Sequence, residues 1–386
     1  MDFSLPEPVR SFQSDLRSWV DRELPKSWTR ELERADRYPL ELWDKLAARG
    51  LHGVAVPKAY GGHGGDNLLQ MVVARELGRS LSGMLWVWGS TSFAGANSIG
   101  LYGSEEQKKR FLPDIAQGNA RFTIGFTEPG GGTDLLGGLK TTAVKVDGGW
   151  RINGRKTWCA SADASDYILL LALTDPDAKK RHGAVSLFVL PAKSKGISLK
   201  PLSTLGMRGL GAFDVFLDDV FVPDDLLLGE PNRAWYMLLP TLNNERLVLL
   251  GLCCGILDGI LEDALAYVKE RTAFGSTIGS FQSIQHHLVN IAIARRQTEL
   301  VANHCAWLDI TGQEAFQELT MAKVIATEHA VNAADIGIQL LGGQGYSGDT
   351  DMQRYWRDAR LYRMSPVTNE MARNLVAERF GLPRSF

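Results

Sequence analysis

The sequence predicts an α+β, multi-domain fold ordered as helices, sheet, helices. Three observations predict it: apolar residues recur with a helical period up to about residue 120, alternate with period two through the middle, and return to the helical period afterwards. At 386 residues the chain has room for two or three domains of about 150 residues, each large enough for its own core. The changes of period place a helical block at residues 1–120, a β domain at 121–230 and a helical bundle at 231–386.

From Val9 onward, ELWDKLAARGL and LLQMVVARELGRSL space apolar residues three and four apart between Gly and Pro stops. From Phe122 to about Gly229 the pattern alternates in TTAVKV, GWRING, YILLLAL, GAVSLFVL and AFDVFLDDVFV, with turns expected at Asp147-Gly148-Gly149 and Asn153-Gly154. After Pro231 the helical period governs ERLVLLGLCCGILDGILEDALAYVKER, FQSIQHHLVNIAIARRQTELVANHCAWL and FQELTMAKVIATEHAVNAADIGIQLL. No solenoid-length repeat is present.

Composition excludes several classes. Hydrophobic residues at 45% and charged residues at 22% are ordinary globular values, which argues against disorder. Lys and Arg number 42 against 44 Asp and Glu, so no charge excess draws the chain to nucleic acid or an anionic membrane. The longest uncharged apolar run, Leu247 to Leu257, is far short of a membrane span. The first residues, MDFSLPEPVRSFQSDL, carry Asp2 and no apolar stretch, the pattern expected of a cytoplasmic enzyme. Cys159, Cys253, Cys254 and Cys305 lack C-x-x-C spacing and are expected to pack as small apolar residues rather than bind zinc or form disulfides.

Among the motifs, Gly343-Gln344-Gly345-Tyr346-Ser347-Gly348 spells a dinucleotide fingerprint, but the helical segment ADIGIQLL precedes it where a strand is required, so a helix stop is expected. Phe126 to Asp134, FTEPGGGTD, combines three glycines with two threonine hydroxyls; it is compatible with a loop whose amides approach a cofactor and with a structural turn. Arg271, Phe274 and Phe281-Gln282 suit a phosphate and an adenine ring, or equally a cation-complemented helix C-terminus. His286-His287 has no second ligand pair at metal spacing, so no metal site is expected. Trp86 and Trp88 are compatible with core packing and with a shortened pocket.

In this order, YGSEEQKKRFLP, FTEPGGGTD, INGRKTW, LGMRG, FLDDVFVP, RTAFGSTIGSFQ, QLLGGQGY and YWRDARLYR resemble the acyl-CoA dehydrogenase family of flavoproteins over almost the whole chain. The resemblance implies an N-terminal helical domain, a central β-barrel and a C-terminal four-helix bundle. It also implies bound FAD and a homotetramer in which one subunit reaches its neighbour's cofactor. Carried over by position, Thr127, Thr133, Trp158 and Ser161 would line the flavin, and Thr133 would also meet substrate. Arg271, Phe274, Phe281 and Gln282 would hold the adenosine and pyrophosphate, joined by Gln339, Gly342 and Gly343 of another subunit. Thr368 and Glu370 match the family's Thr-x-Glu/Gln cofactor contact, and Asn243 and Arg246 fall where the family contacts the CoA thioester.

The resemblance implies α-proton abstraction by a carboxylate of raised pKa with β-hydride transfer to flavin N5, and donors aimed at the thioester oxygen. Most members carry the base near the C-terminus, where this chain has Pro366 in Met364-Ser365-Pro366-Val367-Thr368. A minority, isovaleryl- and long-chain-like, carry it in a Glu-Arg pair before an apolar helix, matched here by Glu245-Arg246. The residue is compatible with a desolvated base at the start of that helix and with an ordinary N-terminal carboxylate facing water. Pro366 also removes a backbone donor to the thioester, so that either a neighbouring amide such as that of Val367 substitutes, or the cofactor's ribityl hydroxyl acts alone, or the substrate differs. Ala160, beside Ser161, stands where the family has a hydroxyl near flavin N5. The expected activity is acyl-CoA dehydrogenation with an electron-transfer flavoprotein as acceptor. The alternatives are an enoyl-CoA reductase, an oxidase of carrier-protein-bound acyl thioesters, and a non-catalytic acyl-CoA-binding flavoprotein.

Overall fold

A computed structural model describes residues 4–383, the side chains of Leu239, Pro240 and Leu242 excepted. The N-terminal part folds as α1 (Glu7–Glu23), α2 (Lys26–Ala35), α3 (Leu40–Ala48), α4 (Asn67–Leu81), α5 (Trp86–Thr91), α6 (Ser98–Tyr102) and α7 (Glu105–Gln117), with a π-helical segment, Ser92–Asn97, between α5 and α6. Pro6, Pro25 and Pro39 stand just ahead of the first three helices, where a missing N–H costs nothing. Asp66 caps α4 by accepting from the Leu69 N–H at 2.9 Å. Ser104 and Gln107 close a reciprocal capping box on α7.

The middle segment forms β1 (Phe122–Gly125), β2 (Thr142–Val146), β3 (Gly149–Ala160), β4 (Tyr167–Leu173), β5 (Val185–Pro191), β6 (Ile197–Leu202), β7 (Ala212–Pro223) and β8 (Leu227–Leu228). These make one eight-stranded sheet in the order β6-β7-β3-β2-β4-β5-β8, with β1 parallel to β4. One expectation is corrected. Asn153-Gly154 is no turn: β3 runs through it with a register shift against β7, because Gly154 approaches the Thr141 backbone so closely that a Cβ there would lie 2.7 Å from Thr141 Cα.

The C-terminal part contains α8 (Ala234–Glu270), a small hairpin of β9 (Thr272–Ala273) and β10 (Ser276–Thr277), then α9 (Gln282–Ile310), α10 (Phe316–Leu341), α11 (Gly343–Tyr346), α12 (Met352–Tyr362) and α13 (Asn369–Arg379). Helix α8 packs against α4, α9, α10 and α12. Gly251 and Gly255 let it meet α4 backbone to backbone, since a Cβ at either would come within 2.1 Å of Met71 O or 2.2 Å of Arg75 O. The three blocks do not each bury a separate core. The two helical blocks close over one shared apolar cluster, from Leu16 through Leu85 to Leu247–Tyr362, and a second cluster joins the sheet to Phe93–Ile115 and the start of α8.

Candidate active site

Glu245 lies about three turns into α8 rather than at its start, so the N-terminal alternative does not apply. Flanked by the buried Asn244, Arg246, Leu247 and Val248, it is itself half-buried and makes no hydrogen bond or ion pair among the described residues. Desolvation pushes its carboxyl up to about 7, against the opposing pull of the Arg246 charge. Asn243 is half-buried on the same turn. Asn244, which the sequence reading passed over, fixes the rotation of this turn: its amide donates to Asn67 Oδ1 at 2.7 Å and Gln70 Oε1 at 2.9 Å, and its Oδ1 accepts from Asn97 Nδ2 at 3.1 Å. With Asn244 locked toward α4 and the π-helical segment, Glu245 is turned to another face of the helix, about 100° away.

Arg246 is buried, 5% exposed, with its guanidinium 5.1 Å from the Phe316 ring centroid. It shares the lining of a small cavity with Thr320, Lys323, Pro366, Val367 and Ala372, so the structure brings it beside the Met364–Thr368 turn. Lys323 is a second residue that sequence reasoning missed. Its ammonium donates to the Val367 carbonyl at 2.5 Å and to Asn369 Oδ1 at 2.6 Å, and burial lowers it to about 8. Asn369 is held in turn, its backbone N–H donating to the Arg363 carbonyl at 2.9 Å and its amide to Thr327 Oγ1 at 3.1 Å. Thr368 caps α13 by accepting from the Met371 N–H at 3.1 Å, while Glu370 is exposed. The Ser365–Pro366 peptide is cis. Pro366 has no N–H to offer, and among the described residues the Val367 and Thr368 N–H groups have no acceptor.

A second group gathers at the end of β3. The Thr157 N–H donates to the Thr127 carbonyl at 2.9 Å, which fastens FTEPGGGTD to that strand. Glu128 is the anchor of this loop, accepting from the Lys140 and Thr141 N–H groups at 2.8 and 2.9 Å and from the fully buried Lys156 ammonium at 2.8 Å. The Lys156 charge and these hydrogen bonds outweigh desolvation and hold the Glu128 carboxyl below its usual range. Trp158 and Ser161 both have positive φ, 60° and 55°, conformations costly for residues with side chains and concentrated at functional sites. Trp158 is 60% exposed, Ser161 Oγ donates to the Leu210 carbonyl at 3.1 Å, and Thr133 is exposed. The Ala160 carbonyl accepts from Thr123 Oγ1 at 2.5 Å.

The remaining candidates stand on the outside. Arg271 is exposed at the end of α8; Phe274, 98% exposed on the hairpin, meets Phe281 edge-on with centroids 6.3 Å apart, and Gln282 opens α9. Gln339, Gly342 and Gly343 are exposed where α10 stops at Gly342, whose φ is 59°; a helix, not a strand, leads into the glycines 343–348. No hydrogen bond or ring contact among the described residues joins these two groups to each other or to the Trp158 edge. Trp88 is core, its indole donating to the Leu51 carbonyl at 2.9 Å, and Trp86 donates to Tyr362 Oη at 3.0 Å. His286 and His287 lie on α9, and no group of three metal-ligating side chains occurs among the described residues. No described helix is long and apolar enough to cross a membrane. All four cysteines are buried, without disulfides.

Family models for the N-terminal, middle and C-terminal domains of acyl-CoA dehydrogenase match residues 6–119, 123–220 and 232–381. The chain belongs to the acyl-CoA dehydrogenase family. A probable acyl-CoA dehydrogenase of Bacillus subtilis, YngJ, is 30% identical over 98% of this chain and 99% of that one. The caffeyl-CoA reductase-Etf complex subunit CarC of Acetobacterium woodii is 32% identical over 94% and 95%. The crystal structure of an acyl-CoA dehydrogenase from Geobacillus kaustophilus superimposes with a TM-score of 0.92 at 30% identity, covering 98% of this chain and 99% of that one. The chain is accordingly an FAD-dependent oxidoreductase acting on acyl-CoA. Its surfaces fit such a cofactor. The strained, exposed Trp158 offers a planar face, and Gly130 and Gly132 leave open space where side chains would stand. The N-termini of α9 and α13 and Arg271, whose side chain has no partner among the described residues, suit a pyrophosphate.

Proposed function

We propose that this chain dehydrogenates an acyl-CoA thioester between its α and β carbons, with Glu245 as the base that takes the α proton. The observation that carries this reading is Glu245 itself: a half-buried carboxyl inside an apolar helix, without a hydrogen-bond partner among the described residues, poised at about 7. Such a group is basic enough to take a proton and remains partly ionised near neutrality. FAD supplies the hydride acceptor when bound. Pro366 leaves the thioester oxygen to the Val367 and Thr368 N–H groups, which have no acceptor among the described residues and which the Lys323 bond to the Val367 carbonyl holds in place. Asn243, Arg246 and Thr133 serve the thioester substrate. Thr127, Trp158, Ser161, Thr368 and Glu370 serve the subunit's own cofactor.

The exposed Arg271, Phe274 and Gln282 with the half-buried Phe281, and the exposed Gln339, Gly342 and Gly343, serve cofactors shared between subunits of a homotetramer. Electrons leave to an electron-transfer flavoprotein, in keeping with the Etf complex of the CarC relative. The same relative, named a reductase, and the absent Pro366 donor favour one second reading, enoyl-CoA reduction, in which the Glu245 carboxyl gives its proton to the α carbon. Anaerobic mixing of the oxidised protein with a panel of acyl-CoAs, followed by flavin absorbance, tests the first reading. Bleaching by at least one thioester is the expected result. No bleaching, with reoxidation of dithionite-reduced protein by enoyl-CoAs, transfers the conclusion to the reductase.

A further inference from the structure

A lysine with no exposed side-chain surface stands beneath the Phe126–Asp134 loop. Lys156 on β3 is 0% exposed at its side chain and Glu128 5%, and their ion pair is 2.8 Å long. Each also holds the backbone around it. The Lys156 ammonium donates to the Phe126 carbonyl at 3.1 Å, and the Glu128 carboxylate accepts from the Lys140 and Thr141 N–H groups at 2.8 and 2.9 Å. One pair of side chains thus ties the outgoing stem of the loop, its return at residues 140–141 and the strand that carries Trp158 to a single point. Between the stems the loop folds on itself: the Gly131 N–H donates to the Glu128 carbonyl at 3.0 Å, and a Cβ on Gly138 would lie 2.2 Å from Gly131 Cα.

A buried ion pair is a poor source of stability, since apolar side chains of similar volume often serve as well, but losing one partner strands the other. What this pair fixes is position. Thr127 precedes Glu128, Thr133 follows it in the same loop, and Trp158 stands two residues beyond Lys156. The charge on Lys156 is itself poised to be lost, because burial outweighs the attraction of Glu128 and lowers the ammonium to about 8. The surrounding groups titrate elsewhere. On β3, burial pushes the Cys159 thiol up to about 12; on β7, Asp214 is held below its usual range and pairs with Arg155 on the opposite face of the strand from Lys156. In the loop, Asp134 and Lys140 are exposed, and β1 and β4 carry no charged side chain.

We propose that Lys156 is a positioning residue for FAD: its ammonium, through Glu128, keeps the 126–141 loop in the shape that holds the flavin, and loss of its proton lets the loop and the cofactor go. The proposal rests on the reading that Thr127, Thr133 and Trp158 meet the flavin. Cofactor binding and protonation of the lysine then favour each other, so FAD affinity is level at lower pH and falls above about 8 by up to about tenfold per pH unit. Glu128→Gln removes the carboxylate that helps keep the lysine charged, and so moves the fall to lower pH. Lys156→Met has a similar length and no charge; it weakens retention at neutral pH by about tenfold or more and shows no alkaline fall.

Diluted holoprotein brought to equilibrium across a series from about pH 6 to 10 reports released FAD through the recovery of flavin fluorescence, with sedimentation velocity recording the assembly in the same samples. The expected result is an alkaline loss of FAD from the intact assembly, shifted down by Glu128→Gln and missing from Lys156→Met. Level retention across the series overturns the proposal, as does a fall that Lys156→Met retains or one that accompanies dissociation of the assembly. Gly132→Trp tests the underlying reading separately, because nothing lies within 4 Å of a Cβ added there and the indole would occupy the space in front of the loop. If Gly132→Trp keeps FAD as the native protein does, the reading fails and the proposal with it. If that variant releases FAD while native retention is level with pH, the reading stands and the proposal alone fails. Should either substitution of the pair prevent folding, the native profile and the other variant decide the matter.

Discussion

Near neutral pH Glu245 is divided between its acid and carboxylate forms, because desolvation outweighs the Arg246 charge and raises it to about 7. A base must be ionised, so the rate of flavin reduction by acyl-CoA is expected to rise with pH through about 7 and level off above it, as rapid mixing across a buffer series will read. Glu245→Gln is nearly isosteric and is expected to keep FAD and ligand binding yet lower the reduction rate by about three orders of magnitude or more; a variant reducing at close to the native rate removes Glu245 from the mechanism. The stability sign runs the other way. A carboxyl raised on folding stabilises below its unfolded pKa, and this contribution is lost as pH rises through about 7, so the glutamine variant should melt no lower than native at pH above 8. Glu245, the proposed base, stood out in the sequence because its cue is local, a Glu-Arg pair ahead of an apolar run. Asn244 and Lys323 were not, because their meaning lies in Asn67, Gln70, Asn97, Val367 and Asn369, partners that no spacing along the chain reveals.

The helices that carry these residues keep their places through close backbone approach. At Gly255 a methyl group would come within 2.2 Å of the Arg75 carbonyl and 2.8 Å of the Arg79 nitrogen, both backbone atoms of α4 that cannot swing aside. Gly255→Ala is therefore expected to push α8 from α4 and destabilise the fold by about 2–3 kcal/mol despite alanine's better helix propensity. Thermal denaturation measures this, and an unchanged melting temperature would show that the helices stand farther apart. The long helices were legible from their period, and so were most strands of the sheet. The Asn153-Gly154 bulge was not, since the same dipeptide serves turns and bulges and only the nearness of Thr141 selects between them. Strands β1 and β6 escaped as well. The first has four residues and the second alternates with half-buried rather than buried positions, because β6 ends the sheet.

Across the whole molecule, the N- and C-terminal helical blocks are joined by buried charge as well as by their shared core. Asp258 on α8, 2% exposed at its side chain, accepts from Arg75 at 2.8 Å, Arg295 at 2.5 Å and Arg17 at 3.2 Å, linking α8 to α4, α9 and α1. Burial alone would raise its carboxyl, but these guanidinium groups outweigh burial and hold it below the usual range. Its stabilising contribution is thus present above the ordinary aspartate range and lost as pH falls through its lowered value. Asp258→Ala, which strands these cations, should cost about 3–5 kcal/mol, read as a large drop in melting temperature at neutral pH. The order of the three blocks was legible from periodicity, whereas their union was not, because a salt bridge between residues 17 and 258 leaves no local trace. The same scale carries the proposal of shared cofactor sites. Arg271, Phe274 and Gln339 are exposed in one subunit, and α9 also exposes Val289 and Ile293, 55% and 50%, apolar surface of the kind a second copy covers. If those contacts complete the FAD site, Ile293→Asp should both dissociate the assembly and release FAD, because a buried carboxylate at the contact opposes association and each subunit then lacks its neighbour's groups. Sedimentation velocity recorded at both protein and flavin wavelengths reads the two losses together. A monomer sedimenting with full FAD would show that each chain holds its cofactor alone.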